Sequence, residues 1–465
     1  MKNFLQDIVN QESGFVELRY HAQQLNNICV TRKRTDSAHH QYLEGIAVRV
    51  HENGHWGFSA TSDLSKESIQ RAIYRARQSA AHITRILPNS HKNPLRKVDL
   101  YKGSFISPGY EEIQNIPFEE KISKISQIER EAALASSKIH TASCRYEELI
   151  EHRIIITSDG AQADIKTSRP TLYVRCFAQH KDKESTADHA AGITGSWSQL
   201  LQHPQLINAS EKTAKKAIDL LCAPYVKSGT HSVILSPALV GLLCHEAIGH
   251  TVEADFVKAG SVAQGRLNTQ IASEHITLID EGSPEQKSVA GYLPCDDEGV
   301  ITKPTHIIEK GQLKSYLHDR TSATEFETAP TGNSRAFSYI DEPMIRMTNT
   351  YLKPGKKDLD EMISEIPFGY LAEGDGGGEA DSNGEFQFGC GWLWEIKNGR
   401  KTRLIREANL SGLAFEVLQS VDAVSTSSHW DMGSGYCYKG QKAKVDAGGP
   451  HIRCKLHIGG QSCQS

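Results

Sequence analysis

The segment from Ser236 to His250 constrains the fold of this chain more than any other and reads S-P-A-L-V-G-L-L-C-H-E-A-I-G-H. It follows the strand-like run H-S-V-I-L-S. Ser236 is a good helix N-cap, and Pro237 suits the first helical position because no N–H is needed there. Three leucines share one face of the predicted helix with Glu246. A carboxylate in an apolar row needs a partner.

Two histidines flank this glutamate in the pattern H-E-x-x-x-H, which predicts a metal site with its own general base. The usual zinc-peptidase spacing is one residue shorter. On an ideal helix, His245 and His250 would point about 140° apart. Gly249 supplies backbone freedom, so we expect the helix to loosen at its end around a metal. The alternative is a helix end that carries a hydrogen-bonded histidine pair.

A catalytic zinc ion needs a third protein ligand and one open position. The residues alone leave seven candidates: His275, His318, His429, Cys390, Cys437, His451 and Cys454. Cys437 lies in the glycine-rich run G-S-G-Y-C-Y-K-G, where an exposed thiolate is plausible. On spacing alone, however, an ordinary cysteine in a turn is the better interpretation.

Composition argues against several other functions. The formal net charge is −4, which does not favour direct binding to nucleic acid. The ten cysteines form no C-x-x-C pair, the N-terminus lacks a signal peptide, and no apolar run is long enough to cross a bilayer. The acidic run 375–385 fails as a calcium loop and is predicted to be a tight glycine turn. We therefore expect a cytoplasmic protein without a membrane partner.

The order of predicted elements indicates an α+β fold. A hairpin with Asn53-Gly54 at its turn precedes a helix from Asp63 to about Ala81. A second group of strands, with a turn at residues 158–160, precedes a helix from Ala209 to Leu221. This recurrence suggests an internal duplication, although two unrelated segments would explain it nearly as well. We predict an N-terminal α+β domain (1–224) and a β-rich C-terminal domain (225–465) that carries the metal-motif helix.

The run H-E-A-I-G-H-T-V-E-A-D-F resembles the signature of the TldD/PmbA metallopeptidases, of the TldD type that carries the metal motif. Collinear matches follow in D-D-E-G, L-H-D-R, P-T-G-N-S-R, M-I-R-M-T-N-T-Y-L-K-P-G and G-Y-C-Y-K-G-Q. Together they cover residues 231–460, whereas the N-terminal part resembles the family more loosely.

This resemblance implies a peptidase with one zinc ion per active subunit, held by His245, His250 and Cys437, with Glu246 as the catalytic base. Family members are described as modulators of DNA gyrase and as processors of peptide precursors. They act as dimers, either of one chain or with a related subunit that lacks the motif, and take extended or unfolded peptides into a cavity. Where many relatives have C-G-K, this chain has a tyrosine, and we expect the bulky Tyr438 to alter the pocket.

Further residues have weaker assignments. Glu253 or Asp255 could hold a ligand imidazole in one tautomer. Five more are candidates for peptide contacts, with structural roles as the favoured alternative: Arg320, Asn333, Arg335, Arg346 and Asn349. The predicted function is zinc-dependent hydrolysis of small or unfolded peptides. The alternatives are a non-catalytic regulatory subunit and hydrolysis with Cys437 as the nucleophile.

Overall fold

Two β-sheets organise the chain, and together with the helices packed on them they make the α+β fold that the sequence predicts. The computed structural model describes residues 1–87 and 95–459. All strands of the first sheet precede residue 193, and all strands of the second follow residue 228.

The N-terminal part contains, in chain order, α1 (Lys2–Val9), β1 (Phe15–Thr31), β2 (Arg34–Glu52), β3 (His55–Thr61), α2 (Lys66–Ile86), β4 (Lys102–Ile106), α3 (Tyr110–Asn115), α4 (Phe118–Leu134), β5 (Ile139–Thr157), β6 (Gln162–His180), β7 (Lys183–Gly192), α5 (Trp197–Leu201) and α6 (Ala209–Leu221). The strand order is β3-β2-β1-β5-β6. The outer edge of β6 pairs in parallel with β4 and, further along, in antiparallel with β7. Strands β1 to β3 precede α2, and strands β5 to β7 precede α5 and α6, which is the order of strands and then helix that suggested a duplication.

Local sequence explains the boundaries of these elements. Asn53 and Gly54 both have positive φ, as a type I′ hairpin turn requires, and they confirm the predicted turn. The N-cap of α2 is Ser65, whose hydroxyl accepts from an N–H in the first turn. The helix therefore begins after the predicted Asp63, and it also ends later than predicted. The last N-terminal helix, α6, has the predicted bounds.

The C-terminal part contains β8 (Gly229–Leu235), α7 (Pro237–Leu242), a π-helical turn (Leu243–Gly249), a 3-10 turn (His250–Val252), α8 (Ala254–Lys258), β9 (Leu278–Asp280), β10 (Thr305–Glu309), β11 (Gln312–Leu313), α9 (Arg320–Glu325), β12 (Ser334–Arg335), β13 (Met344–Ile345), β14 (Asn349–Leu352), α10 (Leu359–Ser364), β15 (Phe368–Ala380), β16 (Glu385–Lys397), β17 (Arg400–Leu413), α11 (Ala414–Gln419), β18 (Ala423–Trp430), β19 (Tyr436–Lys439), β20 (Gln441–Lys444) and β21 (Asp446–Gly459). The predicted glycine turn is instead the end of β15, which continues through the glycine run with a bulge and turns only at residues 381–384.

Five of these strands close a ring, because β8, β15, β16, β17 and β21 pair in succession and β21 pairs back to β8. Helix α7 packs against β21 and β15. A Cβ at Gly241 would lie 2.9 Å from the backbone of Ala447 and Gly448, so only glycine permits this approach. The ring and α7 thus fix the start of the metal motif within the largest hydrophobic core.

Buried ion pairs join the two parts of the chain. Arg49 of β2 lies 2.9 Å from Glu298, and Arg153 of β5 lies 3.5 Å from Asp297. Both carboxylates are buried, so each needs the partner that the other half supplies. Within the described ranges, no helix combines the length and apolar character needed to cross a bilayer.

Candidate metal centre

The motif helix changes its winding at the two histidines. After α7 the chain continues as a π-helical turn, and the His250 N–H donates to the carbonyl of His245, five residues earlier. Such a turn is about one residue wider than the 3.6-residue α-turn. Residues five apart therefore come together as residues four apart do on an α-helix. The long spacing of the motif is matched by this widened turn, so the α-helix does loosen at its end as expected.

Gly249 allows close packing because it has no side chain, and its backbone freedom is not used. Its φ of −55° and ψ of −49° are helical and open to any residue. A Cβ there would lie 1.8 Å from the sulfur of Met347, so a side chain would collide with the neighbouring segment. The expectation that this glycine unwinds the helix is wrong, and close packing is the reason for its presence.

Two other expectations for this segment need correction. Ser236 is the N-cap residue, as predicted, but its hydroxyl makes no capping bond. Glu246 does not lie in the apolar row, since its side chain is 24% exposed. Its Oε2 lies 3.6 Å from Nε2 of His250. The carboxylate is thus partly exposed beside the His250 imidazole and is accessible to water.

Cys437 reaches the histidines from the β19–β20 hairpin. Successive residues of a strand face opposite sides, so Cys437 and Lys439 point toward the motif while Tyr438 points away. The Tyr438 side chain is 71% exposed. Strand alternation therefore turns the ring away from the donor set, and its effect on the pocket stays a prediction.

The three side chains form a compact donor set. One donor atom from each of His245, His250 and Cys437 lies within 4.8 Å of the others, and Cys437 Sγ lies 3.2 Å from His250 Nε2. This is the only group of three or more possible ligands found among the residues that the structure describes. His245 is 1% exposed, and neither of its ring nitrogens has a hydrogen-bond partner other than the nearby sulfur of Cys437. A buried imidazole placed beside a thiol in this way fits a metal ligand.

The charges of the donor set are coupled. Burial alone would raise the pKa of the Cys437 thiol, but the imidazoles of His245 and His250 lower it to about 4. Burial alone would lower the pKa of His250, but the Glu253 carboxylate and the Cys437 sulfur raise it to about 10. The pKa of His245 is raised as well, since the effect of Cys437 outweighs that of burial. The sulfur is thus held as a thiolate, the form that binds a metal.

A second layer of charges orients His250. Glu253, which is fully buried, accepts from Nδ1 of His250 at 3.3 Å and from Nζ of Lys439 at 2.7 Å. Lys439 also donates to Asp255 at 2.6 Å. Of the two acids proposed to hold an imidazole, only Glu253 touches one, whereas Asp255 holds the lysine. Sequence reasoning missed Lys439, although the period of two from Cys437 would have placed it on the same face.

The five candidate peptide contacts are all buried. Arg335 donates to the carbonyls of Met347 and Lys444, and Arg346 donates to the carbonyl of Gln441, so both arginines hold the hairpin that carries Cys437. Their peptide-binding role has no support in this arrangement, and the structural alternative fits it.

The other three candidates also bond within the chain. Asn333 donates to Asp280 at 2.7 Å, and Asn349 donates to a backbone carbonyl of the same segment. Arg320 pairs with Asp159 at 2.5 Å and so joins the two parts of the chain.

The other candidates for the third ligand lie elsewhere. His318 is buried beside Ser322, and the thiol of Cys390 donates to the carbonyl of Trp392. His275 and His429 are exposed. The geometry thus separates Cys437 from alternatives that the sequence alone left open.

The segment before Cys437 rests on the N-terminal part of the chain. A Cβ on Gly433 would lie 2.4 Å from the carbonyl of Gly192 at the end of β7, so the two backbones touch. The Tyr173 hydroxyl of β6 donates to the carbonyl of Ser434. The position of the third donor therefore depends on the first sheet.

Comparison with known proteins identifies the class of protein. Models of three PmbA/TldA metallopeptidase domains match residues 16–80 (domain 1), 111–222 (central domain) and 228–460 (C-terminal domain). These segments cover most of the chain, and they define a metallopeptidase.

Individual relatives specify the family. A metalloprotease of Methanocaldococcus jannaschii is 31% identical over 447 residues, which are 94% of this chain and 95% of the relative. A zinc metalloprotease TldD homolog of Saccharolobus solfataricus is 30% identical over 452 residues, 96% of this chain and 97% of the relative. The chain belongs to the PmbA/TldD family of metallopeptidases.

Solved structures share the fold. TldE from Thermococcus kodakarensis superposes with a TM-score of 0.76 at 19% identity and covers 98% of this chain and 99% of its own. A Thermotoga maritima protein, described as a candidate modulator of a DNA gyrase, superposes with a TM-score of 0.80 at 18% identity, with the same coverage. At these identities the likeness establishes the architecture.

Proposed function

We propose that the protein hydrolyses peptide bonds in small or unfolded peptides with a zinc ion held by His245, His250 and Cys437. One observation carries the proposal: three donor atoms converge within 4.8 Å, and a partly exposed carboxylate, Glu246, lies beside them. A peptidase of this type needs a metal, an open coordination position and a general base. The chain offers three protein ligands and one base.

The donor chemistry favours zinc. Two imidazoles and one thiolate are borderline-soft ligands that suit this ion. In a tetrahedral zinc site such donors lie about 3.3–3.6 Å apart. The 3.2 Å between the sulfur of Cys437 and Nε2 of His250 is close to that separation. A relative that is named a zinc metalloprotease adds support.

Each residue then has a defined task. A bound zinc ion would supply the Lewis acidity that polarises a peptide carbonyl and lowers the pKa of a water molecule. Glu246 accepts the proton of the attacking water on its carboxylate and passes it to the amide nitrogen of the leaving group. Glu253 accepts from Nδ1 of His250, which leaves Nε2, on the side of Cys437, available to bind a metal in place of its proton.

The proposed working unit contains two subunits, either two copies of this chain or one copy with a related chain that lacks the motif. The fold shared with a TldE protein supports the second arrangement. A purely regulatory role is less consistent with the chain, because such a subunit would need neither the donor set nor Glu246.

The test compares the unaltered protein with Glu246→Gln. We expect both to hold about one zinc per chain by elemental analysis. Hydrolysis of an unstructured peptide should fall by about 10²–10⁴ in the variant, since only the base is lost. Cys437→Ser serves as the ligand control and should lose metal as well as activity.

Two results would contradict the proposal. Full activity of Glu246→Gln would remove the general base from the mechanism. Activity that survives complete removal of the metal by a chelator would instead indicate that Cys437 acts as a nucleophile.

A further inference from the structure

A large cleft lies between the two parts of the chain, and the residues of the donor set do not line it. Its volume is about 1490 Å³. Residues 186–205 line one side, and the start of α7, residues 281–288 and the end of β18 line the other. Such a volume exceeds that of an ordinary small-molecule pocket, about 300–1,000 Å³, and suits a longer, extended ligand.

The charged side chains that line this cleft are acidic. Among the residues that the structure describes, neither lysine nor arginine lines it, whereas five carboxylates do: Asp188, Glu281, Glu285, Glu373 and Asp431. Four histidines also line it. Burial lowers the pKa of three of them, His189, His203 and His451, the last to about 4, so these remain neutral near pH 7. The lining therefore favours a cationic ligand.

Cations outside the lining offset part of this charge. Arg175 lies 3.6 Å from Asp188, and Lys216 lies 4.1 Å from the centre of the Trp392 ring, near Glu373. Glu281 and Glu285 make no ion pair among the residues that the structure describes. The charge of these two side chains is available to a ligand.

Aromatic side chains give the cleft surfaces for apolar stems and cations. Tyr173, Tyr351, Trp392 and Trp430 line it, and the rings of Tyr351 and Trp430 lie 5.0 Å apart. Faces of tyrosine and tryptophan attract lysine and arginine side chains, whose methylene stems also pack on them. Acids interleaved with aromatic rings thus match a basic chain.

Two polar groups in the lining lack partners. Ser236 is 8% exposed, and its hydroxyl has no hydrogen bond. Nδ1 of His451 is also buried without a partner. Unsatisfied buried groups in a cleft favour a ligand that brings donors and acceptors, as a peptide backbone does.

The cleft is linked to the donor set through both elements that carry it. Ser236 precedes α7, which leads to His245, and Gly435 lines the cleft two residues before Cys437. Two extended residues span about 7 Å. The lining of the cleft thus includes residues close in sequence to both elements that carry the donor set.

We propose that this cleft binds extended peptide segments rich in lysine and arginine and presents them to the metal centre. The proposal rests on the proposed peptidase function for the second step only. Binding itself depends on Glu281, Glu285 and the aromatic lining, so it can be measured without cleavage.

The experiment uses the full chain with Glu246→Gln, so that bound peptide is not cut. Two labelled, unstructured peptides of equal length are compared by fluorescence anisotropy, one alternating lysine with serine and the other alternating glutamate with serine. We expect the lysine peptide to bind at least about ten-fold more tightly at low salt, and we expect this preference to shrink as salt screens the charges.

A double variant and a control variant test whether the peptide binds in the cleft. Adding Glu281→Gln and Glu285→Gln should weaken binding of the lysine peptide about five- to ten-fold, since each exposed pair contributes a factor of a few. The matched control, Glu309→Gln, removes an exposed acid at the end of β10, outside the cleft, and should leave binding unchanged.

Three outcomes would overturn the proposal: equal affinity for both peptides, the same loss in the control as in the double variant, or no binding of either peptide. The last would show that something else, such as a partner subunit, covers the cleft. If basic peptides bind as expected but the unaltered protein cuts none, the peptidase proposal fails while the binding site stands.

Discussion

Replacing Glu253 by glutamine tests whether the charge behind His250 contributes to the metal site. The carboxylate is fully buried and accepts from both His250 and Lys439, at 3.3 and 2.7 Å. Glutamine keeps the size but removes the charge that fixes the imidazole tautomer. Loss of such an outer partner weakens metal binding about 10–100-fold. This corresponds to about 1.4–2.7 kcal/mol of binding free energy.

The control for this prediction is Asp255→Asn. Asp255 also accepts from Lys439, at 2.6 Å, but it does not contact His250 and its side chain is 46% exposed. Its ion pair is worth at most about 1 kcal/mol, so zinc affinity should change by no more than a few-fold. Affinities are measured by competition with a chromophoric chelator, after the folded fraction of each metal-free variant has been determined. Equal losses in both variants, or no loss in Glu253→Gln, would refute the reasoning.

Three further predictions concern the metal centre. Gly249→Ala should lower the free energy of unfolding by about 1–3 kcal/mol in denaturant unfolding, because the new Cβ collides with Met347. This loss outweighs the better helix propensity of alanine. Met347→Ala in the same chain should restore part of the lost stability. Because the pKa of His250 is about 10 and that of Cys437 about 4, zinc binding near pH 7 should release at least one proton, from imidazole rather than thiol. Zinc affinity should then rise with pH up to about 10. Calorimetry in buffers of different ionisation enthalpy measures the number of protons released, and a value of zero would contradict this prediction. Tyr438→Gly should leave zinc affinity unchanged, since the ring points outward; a ten-fold change would place it in the centre.

Sequence patterns among neighbouring residues predicted much of the fold. The Asn-Gly pair at 53–54 forms a turn with positive φ between adjacent strands, as the sequence predicts. Helix α6 has the predicted bounds because the helical spacing of its apolar residues stops at the same residues where the helix ends. These features depend on neighbouring residues only, which is why a sequence reveals them.

The metal centre was less accessible to sequence reasoning. A helical wheel assumes a constant turn of about 100° per residue, and the π-helical turn breaks that assumption from Leu243 onward. Glu246 therefore leaves the apolar row that the wheel assigned to it. Spacing also could not choose among seven third ligands, since the choice depends on contacts between segments almost two hundred residues apart. The resemblance to a family supplied Cys437, and the structure places its sulfur beside His250.

The contact between Gly433 and Gly192 has a consequence for the order of events during synthesis. The first sheet leaves the ribosome early, whereas Cys437 emerges near the end of the chain and reaches its place only by resting on that finished sheet. A nascent chain thus carries both histidines and Glu246 well before it carries the proposed third ligand. With the proposed ligand set, the metal site is therefore complete only after the segment that carries Cys437 has been made and has docked on the first sheet.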